Sequence, residues 1–205
     1  MRKLVVLTFI SLDGVMQAPG GKGEDPAGGF DLEGWTVPYF DEAAGHEMDK
    51  QMTPPFNLLL GHKTYDIFAS YWPKQASDNP IKIAFDKARK YVVSKGAVPT
   101  DWEETIQIQG DVSDIVAEIK KLKQQDGPML QVHGSSKLIQ TLLANDLVDE
   151  LWLKIFPVTL GKGKRLFGEG TIPAAFKLTE STVSPSGVIN ASYKRDGEVK
   201  LGSFT

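Results

Sequence analysis

Apolar residues follow two periods along this chain. Short runs rich in Val, Ile, Leu and Phe alternate with stretches whose apolar positions recur at helical spacing. The first kind reads as buried strands, the second as amphipathic helices. Strands are predicted over 3–10, 58–60, 90–94, 105–108, 129–132 and 147–158. Two more, 176–183 and 188–194, flank Ser184-Pro185-Ser186-Gly187, a hairpin signal. The first helix begins at Thr36 or Val37, with Pro38 in its first turn and Asp41 and Glu42 suiting the dipole. It runs to about Met52 and stops at Thr53-Pro54-Pro55. A second runs from Thr64 to Trp72, with Tyr65, Phe68, Ala69 and Trp72 turned inward. A third, 81–89, follows the cap Asn79-Pro80, and Asp111 caps a fourth with Val112, Ile115, Val116, Ile119 and Leu122 on its apolar side. The last carries Leu138, Ile139, Leu142 and Leu143. Strands alternating with helices and closing on a hairpin predict an α/β fold, one mixed sheet with helices on both faces. Neither a linker nor a repeat interrupts the pattern, so residues 1–205 read as a single domain.

Composition narrows the function. The net charge of -3 argues against a general nucleic-acid binder, which needs clustered basic charge. The lack of cysteine excludes disulfides, thiolate catalysis and cysteine-ligated metal. His46, His62 and His133 lack the spacing of a ligand pair, so no metal site is expected. The start, MRKLVVLTFISLDG, is too short in its apolar run for a signal peptide, and no stretch is long enough to span a membrane. A cytoplasmic protein is expected.

Candidate chemistry gathers where strands end. The 58–60 strand turns at Gly61 into His62, Lys63 and Thr64, the start of a helix. Free amides and the helix dipole favour an anion there, and the side chains add donors. An ordinary strand–turn–helix with a solvated basic corner is the alternative. The 129–132 strand leads likewise into His133, Gly134, Ser135 and Ser136, which suits a diphosphate or simple serine capping. Ser94 and Lys95 end the 90–94 strand, and Asp13 ends the first, where it either serves a site or makes an Asx-turn. Residues 17–34, with Gly20, Gly21, Gly23, Gly28, Gly29 and Gly34, are expected to form a mobile flap. Gly161-Lys162-Gly163-Lys164-Arg165 is a basic loop without Walker spacing, more readily a solvated face than a phosphate site.

These segments, in this order, resemble the dihydrofolate reductase-like superfamily. More narrowly, the chain is similar to the C-terminal reductase domain of the bifunctional riboflavin-biosynthesis deaminase-reductase in its stand-alone bacterial form. The residues that carry the resemblance are Ser11-Leu12-Asp13-Gly14, Leu60-Gly61-His62-Lys63-Thr64-Tyr65, Tyr91-Val92-Val93-Ser94 and Gly134-Ser135-Ser136-Lys137-Leu138. Val148-Asp149-Glu150-Leu151 and Pro157-Val158-Thr159-Leu160-Gly161-Lys162-Gly163 complete it.

The resemblance implies a three-layer fold around an eight-stranded mixed sheet and an NADPH site at the strand ends. It assigns Gly61, His62, Lys63 and Thr64 to the 2′-phosphate and diphosphate. It assigns Ser94 and Lys95 to the adenine ribose, and Gly134, Ser135, Ser136 and Leu138 to the diphosphate turn. The implied reaction is hydride delivery to a small heterocycle, like that of 5-amino-6-(5-phosphoribosylamino)uracil reductase, with Asp13 or Asp41 stabilising or supplying the proton, its pKa raised if it is buried. Dihydrofolate reduction and a non-catalytic nucleotide-binding dimer are the alternatives. Relatives carry two adjacent glycines at the second junction; His133 at the first is expected to narrow the nicotinamide end. Trp35-Thr36-Val37-Pro38 matches a dihydrofolate reductase pattern, but Asp41 falls one residue late, a helical rotation of about 100°. A homodimer is expected through the apolar strand 151–156.

Overall fold

The computed structural model describes residues 1–53, 55–99 and 101–204. Pro54, in the predicted helix stop, lies outside them. The strands are β1 (Leu4–Ser11), β2 (Phe56–Gly61), β3 (Lys90–Ser94), β4 (Thr105–Gln109), β5 (Met129–Val132), β6 (Glu150–Phe156), β7 (Phe176–Val183) and β8 (Ile189–Arg195). They form one sheet in the order β4-β3-β2-β5-β1-β6-β8-β7. The first six are parallel, and β8 runs antiparallel between β6 and β7. The central strand β1 is buried on both faces, which is why its sequence is a near-continuous apolar run.

Among the described residues, five α-helices cover the sheet: α1 (Glu42–Met52), α2 (His62–Tyr71), α3 (Pro80–Lys87), α4 (Val112–Gln124) and α5 (Ser136–Ala144). One face packs Ile119, Leu122, Ile139 and Leu142 of α4 and α5 on Leu4, Val6, Leu130 and Val132. The other packs Met52, Tyr65 and Phe85 of α1 to α3 on Leu7, Leu58, Leu60 and Val92. A smaller core of Val15, Ala18, Phe30, Trp35, Phe156 and Val188 lies under the 17–34 segment. No helix among the described residues is long and apolar enough to cross a membrane.

Two expectations change. The predicted first helix is broken: Val37–Tyr39 make a 3-10 turn, and α1 starts at Glu42 behind an extended Asp41. The sixth strand starts at Glu150 rather than 147; Leu147 and Val148 fill the core ahead of it, and Pro157 follows its end. The apolar strand expected at a dimer interface has no free edge. Both edges of β6 are paired, to β1 and β8, and Leu151, Leu153 and Phe156 are buried inside the molecule.

Candidate functional site

All six parallel strands point their carboxyl ends to one edge of the sheet, and β5 returns between β1 and β2 to make a crossover there. In open α/β sheets ligands bind at such an edge, because loops diverge and helix N-termini face it. Gly61, Ser94, Gly134 and Asp13 all lie at it, each at or just past the end of its strand.

Two glycines lock the junctions together. Gly61 N donates to Gly134 O at 3.0 Å. A Cβ on Gly61 would sit 2.0 Å from Ser135 Oγ, and one on Gly134 would sit 2.5 Å from Thr64 Oγ1. Only glycine permits this approach of the α2 start to the α5 start. On the other side, Ser94 Oγ lies 3.1 Å from His62 Nδ1 and also accepts from Gly96 N. The predicted phosphate residues therefore converge. Lys95 is exposed beside them, Ser136 is buried, and Leu138 packs into the core, where it seats α5.

The helix starts differ in one respect that matters for binding. Asp41, Asn79 and Asp111 cap α1, α3 and α4 with their side chains. The starts of α2 and α5 have no side-chain cap. Orphan amides at a helix start need acceptors, and among the described α-helices the two junctions predicted to hold phosphate are the two without a side-chain acceptor of their own.

Both candidate acids turn out to be structural ties. Asp13 accepts from Ser11 Oγ at 2.6 Å, Leu160 N at 3.1 Å and Gly161 N at 2.8 Å, with Arg165 at 3.5 Å. These bonds, the Ser11 hydroxyl first, hold its carboxyl at about 2. Asp41 accepts from Ala44 N and, across to the hairpin turn, from Ser186 N at 2.9 Å, and those amides likewise hold it at about 2. The expectation of a raised pKa is corrected for both: each is kept ionised and its oxygens are occupied.

His133 also departs from expectation. The crowded positions are Gly61 and Gly134; the His133 ring turns aside to lie 5.7 Å from Phe68 and 5.6 Å from Phe85. Desolvation, then the nearby Lys154 charge, pushes its pKa down to about 3. It stays neutral when folded, whereas the unfolded chain takes up a proton below about 6.5. Stability is therefore expected to fall as pH drops through 6.5 towards 3, and His133→Gln to flatten that slope in denaturant titrations across this range.

The 17–34 segment is a tied strap rather than a loose flap. Trp35 Nε1 donates to Gln17 O, and Gln17 Nε2 donates to Asp25 O and Ala27 O at 2.8 to 2.9 Å. Asp25 bridges Lys63, at 2.9 Å, and Lys164. Lys162 meets Asp31 at 2.9 Å. Two lysines of the basic loop, Lys162 and Lys164, are thus paired to the strap while staying partly exposed, and Arg165 pairs with Asp13. Sequence reasoning missed Asp25, since nothing local marks an acid whose partners lie far along the chain. It also missed Lys154 and Gln51, although a lysine inside the apolar run LWLKIF is a visible break in pattern.

The parallel strand ends and the crossover between them define an open α/β fold with its candidate site at one edge of the sheet. A family model described as the RibD C-terminal domain matches residues 2–190. The chain belongs to that family, of the riboflavin-pathway reductase type. It is 32% identical over 143 residues to the uncharacterized protein YyaP of Bacillus subtilis (strain 168), covering 68% of this chain and 74% of that one. A Shewanella sp. PV-4 protein provisionally assigned to riboflavin biosynthesis superposes with a TM-score of 0.62 at 24% identity, covering 96% of this chain and 99% of that one. Dihydrofolate reductase from Enterococcus faecalis, complexed with NADP(H), superposes with a TM-score of 0.57 at 13% identity, over 95% and 96% of the two chains. The dihydrofolate reductase-like fold with its C-terminal antiparallel hairpin is as the sequence implied.

Proposed function

We propose that this chain is an NADPH-dependent reductase that acts as a single domain on a small heterocycle of the 5-amino-6-(5-phosphoribosylamino)uracil type. The observation that carries the reading is the pair of uncapped helix starts, α2 and α5, locked together by Gly61 and Gly134 at the strand ends. Their amides suit a diphosphate, and His62 and Lys63 add the cations that a 2′-phosphate requires. Bound NADPH supplies hydride; the chain binds and orients it and excludes water. Lys63 already holds an anion, the Asp25 carboxylate, so a phosphate there takes over or shares that partner. Dihydrofolate reduction is not carried by Asp41, whose oxygens cap α1 and meet Ser186.

The test is a fluorescence titration of wild type and Lys63→Ala with NADPH and NADH. Lys63→Ala is expected to weaken NADPH by about 10-fold and to change NADH by less than about 2-fold, the value of one charge-assisted contact. Absence of NADPH binding by wild type overturns the reading. Binding without NADPH oxidation across pyrimidine and pterin substrates would favour a nucleotide-binding protein without turnover.

A further inference from the structure

The cation at the start of α2 is already matched by an acid of the chain itself. Lys63, the second residue of α2, meets Asp25 Oδ1 at 2.9 Å, and the other oxygen of that carboxylate meets Lys164 of the basic loop. Two lysines against one carboxylate leave a single net positive charge. Asp25 does not serve the amides there, since no side chain caps α2. It therefore balances the charge that an anionic ligand would use and leaves the backbone donors open.

The backbone around that acid is pinned from both sides. Asp25 N donates to Glu33 Oε1 at 2.8 Å, and Gly23 N donates to the other Glu33 oxygen at 2.8 Å. Asp25 O accepts from Gln17 Nε2, while Gln17 Oε1 accepts from Lys164 N at 2.9 Å. The carboxylate is buried, so it cannot swing into water while these bonds hold. Leaving Lys63 requires the strap itself to shift. Between the strap and the basic loop lies a cavity of about 270 Å³, lined by Gln17, Phe30, Lys162 and Lys164 among others. A strap that lifts off Lys164 widens that cavity. A diphosphate at the α2 start brings more negative charge than the single net positive charge can balance. It also stands beside a desolvated carboxylate, where like charges repel strongly.

We propose that Asp25 is an autoinhibitory anion: it competes with a diphosphate for Lys63, and when it gives up that lysine the 17–34 strap comes away from the basic loop. The cavity beside Lys162 and Lys164 then opens only after the diphosphate is seated, so a second ligand follows the first. This deepens the reductase reading and rests on it for the diphosphate. Wild type, Asp25→Asn and Asp31→Asn are titrated by calorimetry with inorganic pyrophosphate and with NADPH. Amide hydrogen exchange of wild type is followed with and without each ligand. Asp25→Asn should bind both at least about 5-fold more tightly than wild type, the low end of couplings between linked equilibria. Asp31→Asn removes the same charge from the exposed pair with Lys162 and should stay within about 2-fold of wild type. By reciprocity, saturating pyrophosphate or NADPH should speed exchange of amides in 17–34 of wild type by about 5-fold or more. That measurement needs no variant, and it decides the matter if Asp25→Asn does not fold. Unchanged or slower exchange in the strap, or an Asp25→Asn affinity no tighter than that of wild type, overturns the competition while NADPH binding leaves the reductase reading in place. The expected pyrophosphate results without any NADPH binding overturn the reductase reading and leave the competition standing. Binding of neither ligand by any of the three proteins overturns both.

Discussion

Gly61→Ala is expected to destabilise the protein by about 1–3 kcal/mol and to abolish measurable NADPH binding. The added Cβ meets Ser135 Oγ at 2.0 Å, Ser135 N at 3.0 Å and Ser135 Cβ at 3.2 Å. The hydroxyl can rotate away, but the backbone nitrogen cannot, so the α5 start must move off the α2 start. Overpacking of this kind costs about 1–3 kcal/mol. The same shift misaligns the two sets of orphan amides, and positioning errors of about 1 Å are severe at a site built from fixed donors. Gly96→Ala is the control, since nothing lies within 4 Å of its added Cβ. Gly61→Ala with Ser135→Gly should recover part of the stability, because it removes the hydroxyl but leaves the amide contact. Chemical denaturation and NADPH fluorescence read both effects; a Gly61→Ala protein as stable and as tight as Gly96→Ala would show that the junction is not built on close approach.

Asp25→Ala is expected to cost about 3 kcal/mol and to loosen residues 17–34. Asp25 is buried, with only 11% of its side chain exposed, and it holds Lys63 and Lys164 at once. Burial alone would raise its carboxyl, but the hydrogen bonds and charges of Lys164 and Lys63 outweigh that and lower it. Removing the carboxylate leaves two ammonium groups without their partner. Because both lysines are partly exposed, the loss falls at the lower end of the range for broken buried pairs. The sign with pH follows from the lowered pKa. The contribution is present above the unfolded value of about 4 and is lost as pH falls through the folded one. The stability difference between wild type and Asp25→Ala should therefore shrink below about pH 4. Hydrogen exchange should show faster amides in 17–34 at neutral pH; unchanged exchange would mean the strap is held without Asp25.

Much of the architecture was legible in local pattern. β3 and β5 begin and end with their apolar runs, β7 ends at the hairpin signal Ser184-Pro185-Ser186-Gly187, and Asn79 and Asp111 cap the helices their positions foretold. These are short-range effects: capping bonds close within three residues, and a strand buried on both faces announces itself by continuous apolarity. The failures were tertiary. Pro38 and Asp41 could have sat inside one helix; Asp41 instead takes an extended conformation in which one carboxylate oxygen caps α1 and the other reaches Ser186, far along the chain. Asp13 had the position of a site residue, but its partners at Leu160 and Gly161 come from beyond β6.

The sequence by itself determined the element types, their order and the three strand ends that gather phosphate-type donors, because strand, helix and cap preferences act over a few residues. Only the tertiary structure decided which of those donors meet and that the glycine-rich segment is strapped down by Asp25. Those facts depend on strand order and on pairings across more than 30 positions, which no local preference encodes.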